Sequence, residues 1–412
     1  MREIARPLFV LVLVSFVALP WAAGTPVERR WYKGNTHTHT LWSDGDAPPE
    51  VAADWYKSHG YHFLVLSDHN VVQEGEAWRK IGTGRRELAP ERLQKLVERF
   101  GAGAVTLRDT GEIREIRLRT LAELRAAFEE KDQFLFIPGE EISDTFEKLP
   151  IHHNSMNHTE LIRPPGGTSV QDVMERTIRA VEEAARRSGK PVLVHLNHPN
   201  FHWAIRAEDI ARVKGERFFE VYNGHRGVRN YGDAEHPGTE AIWDYVLTRR
   251  LAEIGGDVLY ALATDDAHNY YGAPEARTST PGRGWIWVRA EALTPEAILR
   301  AMSAGDFYAS SGVTLEDVVA EPRRLSVRIR AEEGVTYVTR FIGTRIVEGR
   351  AGPPGEVLAE AEGPSPSYAF RGDELYVRAT VVSSRRHPNG YAPEDFETAW
   401  VQPVVVRRLA PR

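Results

Sequence analysis

Asn35-Thr36-His37-Thr38-His39-Thr40-Leu41-Trp42-Ser43-Asp44-Gly45 places two imidazoles two residues apart, with a carboxylate shortly after them. On extended backbone, residues two apart share a face, so His37 and His39 can address one cation. Asp44 follows on a turn marked by Gly45 and can approach the same pocket. Such a pair alone is weak evidence, but the pattern recurs along the chain. Ser67-Asp68-His69-Asn70, Gly139-Glu140-Glu141-Ile142-Ser143, His152-His153-Asn154, His195-Leu196-Asn197-His198-Pro199, Asn223-Gly224-His225 and Asp265-Asp266-Ala267-His268 each group donors suited to a divalent metal. Such a set suits hydrolysis: a metal lowers the pKa of its water toward ~7 and supplies hydroxide at neutral pH.

These groups stand at one point of a repeating pattern. Short apolar runs precede nearly all of them: Phe63–Leu66, Phe134–Ile137, Val192–Val194, Phe218–Tyr222 and Val258–Ala263, with Trp285–Val288 as a further run. Helical patterns lie between, at Pro49–His59, Leu88–Phe100, Leu121–Glu130, Val170–Ser188 before Gly189, Glu240–Leu251 and Pro295–Ala304. Strands alternating with helices predict an α/β fold with a largely parallel sheet closed into a barrel, whose C-terminal strand ends form the active face. Residues 72–132 read as a helical insertion with a hairpin at Val105–Leu118. Beyond Gly312 the pattern shifts to period two, at Leu325–Arg330, Tyr337–Ile342, Glu374–Val382 and Val401–Val406. That predicts a separate all-β, sandwich-like module over 319–412.

Composition narrows the chemistry. The 412 residues contain no cysteine, so disulfides, thiolate ligands and thiol nucleophiles are excluded and any metal falls to His, Asp and Glu. A net charge of −6 gives no basic surface for nucleic acid. Arg2 and Arg6, the apolar run Leu8–Leu19 and the small residues Ala22, Ala23 and Gly24 predict a signal peptide over 1–24. The mature chain is then expected in the periplasm or outside the cell, with no stable membrane span. No GxSxG elbow or HExxH helix occurs.

The ordered motifs HTHTxxSDG, SDH, PGEEIS, HHN, HPN and DDAH resemble the PHP family, named for polymerase and histidinol phosphatase, from about Lys33 to about Gly312. The resemblance implies a distorted (β/α)7 TIM-like barrel over 25–318 and a site with two or three divalent metals, Zn, Mn or Fe. Matched motif by motif, it implies His37, His39, Asp44, His69, Glu141, His152, His198, Asp266 and His268 as ligands, with Glu141 bridging. Three choices stay open: Glu140 or Glu141, His152 or His153 (with His158 a third candidate), and Asp265 or Asp266. Asp44 and Glu141 count among the catalytic candidates, and His158 and His225 are candidates to protonate a leaving group. The implied activity is phosphate-ester hydrolysis on a small molecule. A carbamate or carboxylic ester hydrolase, or a non-catalytic metal- or ligand-binding protein, would use the same scaffold.

Overall fold

The computed structural model describes residues 28–410, so the expected signal peptide lies outside the described residues. The main sheet has 14 strands. Twelve are used below: β1 (Arg30–Asn35), β2 (Phe63–Leu66), β3 (Leu135–Phe146), β4 (Leu149–Met156), β5 (Leu193–Leu196), β6 (Phe218–Asn223), β7 (Tyr260–Thr264), β8 (Trp285–Ala290), β9 (Phe307–Ser310), β10 (Tyr337–Val347), β11 (Glu374–Arg386) and β12 (Phe396–Val405). The spatial order is β7-β6-β5-β4-β3-β2-β1-β8-β9-β12-β11-β10.

The apolar runs form strands because helices and neighbouring strands bury both their faces. All four residues of β2 and all six of β6 are buried. β1, β2 and β3 pair in parallel, as do β5, β6 and β7. The sheet curls so that the ends of β1 and β7 meet. Thr38 and Ala267 form a parallel bridge, His39 N donates to Ala267 O (2.9 Å), and Asp266 N donates to His37 O (3.0 Å). The helix Val170–Ser188 is capped by Ser169, whose hydroxyl accepts from Asp172 N, and stops at left-handed Gly189. It buries Val173, Met174, Thr177, Ile178, Val181 and Ala184, one face at helical spacing, against the outside of the sheet.

The structure departs from the expected architecture in three places. β4 runs antiparallel to both β3 and β5, so the parallel repeat is interrupted. A two-residue turn at Glu147 (φ 50°) and Lys148 (φ 70°) makes this hairpin, with the backbone sign of a type I′ turn but none of its usual Asn-Gly chemistry. The 72–132 segment has helices at Pro90–Phe100 and Leu121–Phe128 and the expected hairpin, Leu107–Thr110 with Ile113–Arg117, but Trp78–Lys80 adds an unexpected third strand to it. Its core, with Leu88, Leu96, Ile116 and Leu118, closes over Leu41 and Trp42.

The third departure is the C-terminal part, which continues the main sheet. β12 pairs with β9 through Tyr308–Val401, Ala309–Trp400 and Ser310–Ala399. A smaller sheet of Leu315–Glu321, Arg324–Ile329 and Ser367–Ala369 packs on one face of these strands. On the other face Leu375, Tyr376 and Trp400 join the core around Trp243. Arg378 reaches through to Asp244 (2.7 and 2.8 Å) and Glu240 (2.9 Å) on the helix Thr239–Arg249. A sheet edge left by β9 is an open row of hydrogen-bonding groups, and β12 takes it. No described helix is long and apolar enough to cross a membrane.

Candidate metal centre

β1 hands the chain to an extended segment in which Thr38 faces β2 and the two histidines face inward. Thr38 Oγ1 donates to Val65 O (2.6 Å), while His37 Nε2 and His39 Nε2 lie 3.1 Å apart. The turn that follows is tied down by buried Asp68. Its carboxylate accepts from Thr40 N (2.7 Å), Thr40 Oγ1 (2.9 Å), Ser43 N (3.1 Å), Ser43 Oγ (2.7 Å) and Gln73 Nε2 (3.0 Å). Gly45 packs back on this segment so closely that a Cβ there would sit 2.6 Å from His39 O. The turn aims Asp44 at His69 and His268, with Oδ1 3.5 and 3.4 Å from their Nε2 atoms.

Glu141 stands at the centre. Its Oε1 lies 3.0 Å from His152 Nδ1, 3.5 Å from His37 Nε2 and 3.5 Å from His198 Nε2. Its Oε2 lies 3.5 Å from His39 Nε2 and 2.6 Å from His69 Nδ1. Asp266 Oδ1 is 3.2 Å from His37 Nε2 and 3.1 Å from His39 Nε2. Four overlapping groups result, each with its donor atoms within 4.8 Å of one another: His39, Asp44, His69 and His268; His37, His198 and Asp266; His37, His39 and Glu141; His69, Glu141 and His152.

These donors fit divalent cations. His37 Nδ1 meets buried Glu220 Oε1 at 2.7 Å and so carries its proton there, leaving the Nε2 lone pair aimed at Asp266, Glu141 and His39. Buried Glu141 Oε2 and Asp266 Oδ1 accept no well-aligned hydrogen bond, and their close neighbours are imidazole nitrogens. Converging lone pairs without protons are stable only around positive charge. Burial pushes the Glu141 and Asp266 carboxyls up, but the surrounding imidazoles outweigh it and hold both well below the usual carboxylate range. Burial, helped by His268 and His69, presses His39 down to about 3. Burial also opposes charge on His69, but Glu141 and Asp44 overcome it and lift this ring to about 9.

Strand phase resolves the open pairs geometrically. Glu141 faces the cluster, whereas Glu140 faces away and accepts from Ile162 N (2.7 Å). His152 faces Glu141, whereas His153 meets Glu216 at 3.0 Å. Asp266 faces the cluster, whereas Asp265 accepts from Tyr56 Oη (2.7 Å), Arg283 N (2.6 Å) and Gly284 N (2.9 Å). The nine expected ligands are thus brought together. His158 is not: its ring bonds Ser155 Oγ (2.6 Å) and Glu160 O (2.8 Å), which makes it a buried tie behind β4 and corrects its expected acid role. His225 lines the cavity of about 370 Å³ above the cluster. Its Nδ1 accepts from Gly227 N (3.1 Å), so the neutral ring holds its proton at Nε2. Burial lowers its pKa to about 4, which keeps the ring neutral near pH 7.

The supporting roles of Glu220 and Asn197 had gone unread in the sequence. Glu220 accepts from four groups, and its signal was a charge inside the apolar run Phe218–Tyr222. Asn197 Nδ2 donates to Glu141 Oε1 (2.8 Å), and Asn223 Nδ2 donates to Asp266 Oδ2 (3.2 Å). The C-terminal part reaches this tier, since Asn230 bonds both Asn223 and Tyr391 Oη (2.6 Å). The loop after β5 is strained: His198 (φ 23°), His202 (φ 54°) and Trp203 (φ 55°) all have positive φ, on the order of 1–3 kcal/mol each.

No family model matches the chain, and no curated protein matches it. Three solved structures are similar to it at low identity. A two-domain protein from Bacteroides vulgatus, described as containing a predicted PHP-like metal-dependent phosphoesterase, is 14% identical with a TM-score of 0.41, over 91% of this chain and 95% of that one. A protein from Bifidobacterium adolescentis whose description assigns it, without proof of activity, as a metal-dependent phosphoesterase is 12% identical with a TM-score of 0.31, over 58% and 89%. An amidohydrolase from Chromobacterium violaceum, with bound sulfate and no metal, is 13% identical with a TM-score of 0.25, over 57% and 87%. At these values the reading of the site rests on its own geometry.

Proposed function

We propose that this chain is a PHP-family hydrolase that cleaves phosphate esters at a centre of two or three divalent metals. The observation that carries the reading is the set of four overlapping donor groups joined through His37, His39, His69 and Glu141. His39, Asp44, His69 and His268 would hold one cation, His37, His198 and Asp266 another, and His69, Glu141 and His152 a third, with His37, His39 and Glu141 joining them. Bound cations supply charge for the phosphoryl oxygens and acidify the attacking water.

The chain's own residues prepare that chemistry. Glu220 keeps the His37 proton on Nδ1, and Asn197 holds the Glu141 carboxylate in place. Asp68 fixes the turn that presents Asp44. His225 holds a proton at Nε2 beside the cavity and can donate it as a hydrogen bond to a departing oxygen.

The test is the metal content of the purified chain, with turnover of bis(p-nitrophenyl) phosphate and a p-nitrophenyl carboxylic ester measured side by side. Tightly held metal with metal-dependent turnover of the phosphate diester is the expected result. Turnover of the carboxylic ester alone moves the reaction to a carbonyl centre, and a chain that takes up no metal at neutral pH defeats the reading.

A further inference from the structure

A second cavity, of about 520 Å³, adjoins the one above the metal cluster; Phe201, His225 and Arg226 line both. Its remaining wall includes Trp203 and Arg229. Four ring side chains, with His202 the fourth, and two guanidinium groups therefore line a space that opens directly off the centre. Neither Arg226 nor Arg229 forms an ion pair with a carboxylate among the described residues; the Arg229 guanidinium lies instead 5.6 Å from the centre of the Trp203 ring. Cations without carboxylate partners, gathered in a ring-lined cavity, select flat anionic groups: guanidinium planes pair with carboxylate and phosphate and also stack on planar rings.

The walls are held before any ligand arrives. Asn200 Nδ2 donates to Arg229 O and to Pro237 O, both at 3.0 Å, tying the loop after β5 to the loop after β6. Trp203 stacks on His236, with ring centres 4.1 Å apart and planes 8° from parallel. Phe201 stands edge-on to His225, with centres 5.7 Å apart. His202 and Trp203 are fixed at φ 54° and 55°, a conformation that a bulky residue adopts only when its surroundings impose it. A rigid wall loses little freedom when a ligand binds.

We propose that this cavity receives the leaving half of the substrate, and that this half is a planar ring bearing an acidic group of its own. The inference rests on the phosphate-ester reading of the adjoining centre, which the experiment separates from it. Metal-loaded full-length protein is titrated calorimetrically with phenylphosphonate, 4-carboxyphenylphosphonate and terephthalate, the last having the flat dianionic form without phosphorus. The carboxylated phosphonate should bind about tenfold more tightly than phenylphosphonate, and Arg229→Gln, an exposed position outside the core, should remove most of that advantage. Equal affinity for the two phosphonates in the wild-type chain overturns the subsite. Terephthalate binding that Arg229→Gln weakens, with no binding of either phosphonate, upholds the subsite and overturns the phosphate-ester reading. Silence from all three ligands overturns both.

Discussion

Replacing Glu220 by glutamine changes one oxygen to nitrogen in a fully buried pocket, and its effect can be worked from four contacts. Oε1 accepts from His37 Nδ1 (2.7 Å) and Thr264 Oγ1 (2.7 Å), and Oε2 accepts from Asn223 Nδ2 (2.8 Å) and the His198 amide (2.8 Å). An amide has a single acceptor oxygen, so its NH2 must face one of these donor pairs. Whichever way it turns, the negative charge that keeps His37 aimed at the cluster is gone. A charge-assisted bond of this kind contributes about 1.5–3 kcal/mol, which is one to two decades of affinity. Orienting partners of metal-bound histidines have effects of the same size, about 10–100-fold. The assay is zinc affinity by competition with a chromophoric chelator, with the urea midpoint of the metal-free protein measured separately. Glu216→Gln is the control: it weakens an equally buried contact, to His153 at 3.0 Å, away from the cluster, and should lower stability without moving zinc affinity. A folded Glu220→Gln chain with wild-type zinc affinity would refute the reasoning.

Three other outcomes are expected. Asp266→Ala should cut metal stoichiometry by at least one ion, read by elemental analysis after gel filtration, because Asp266 Oδ1 lies within 3.2 Å of both His37 and His39. Arg378→Met should lower stability by about 3–5 kcal/mol in urea titrations, because it strands buried Asp244 without its partner; a loss under about 1 kcal/mol counts against that account. Glu50 is buried with one unpartnered oxygen, and burial lifts its pKa to about 7 against the opposing pull of a backbone N–H, Arg119 at 3.9 Å and Arg117. Its folded-state pKa exceeds the ordinary value of about 4.5, so its contribution is full below that pH and is lost as pH rises through 7. That loss is worth about 3 kcal/mol, so Glu50→Gln should gain on the wild type between pH 5 and pH 8 by that order, and parallel urea midpoints across the range would contradict it.

Much of the donor cluster was legible because its residues sit at strand ends, where apolar runs give way to His, Asp and Glu. Phe63–Leu66 and Val170–Ser188 have the bounds that periodicity and stop signals predict. What was hidden is what periodicity does not encode. The antiparallel β4 depends on a Glu147-Lys148 turn whose side chains carry none of the usual hairpin chemistry. Glu140 and Glu141, or His152 and His153, differ only in strand phase, and phase is set by neighbours brought together in space. Glu220 reads as an interruption of an apolar strand until His37 is seen beside it. The C-terminal strands alternate as a free-standing sandwich would, and nothing in that alternation names β9 as the edge they take.

That shared edge sets an order on the making of the molecule. β9 ends at Ser310, yet its partner β12 begins only at Phe396, close to the last described residues. A chain emerging from its N-terminus presents the α/β part with one row of amide and carbonyl groups uncovered until Phe396–Val405 has been synthesised. Such a row is a template for any extended segment that arrives first, including one from a neighbouring copy. Premature termination anywhere in β10 or β11 would therefore release a product with an adhesive edge. Pairing of β12 is the step that covers this row.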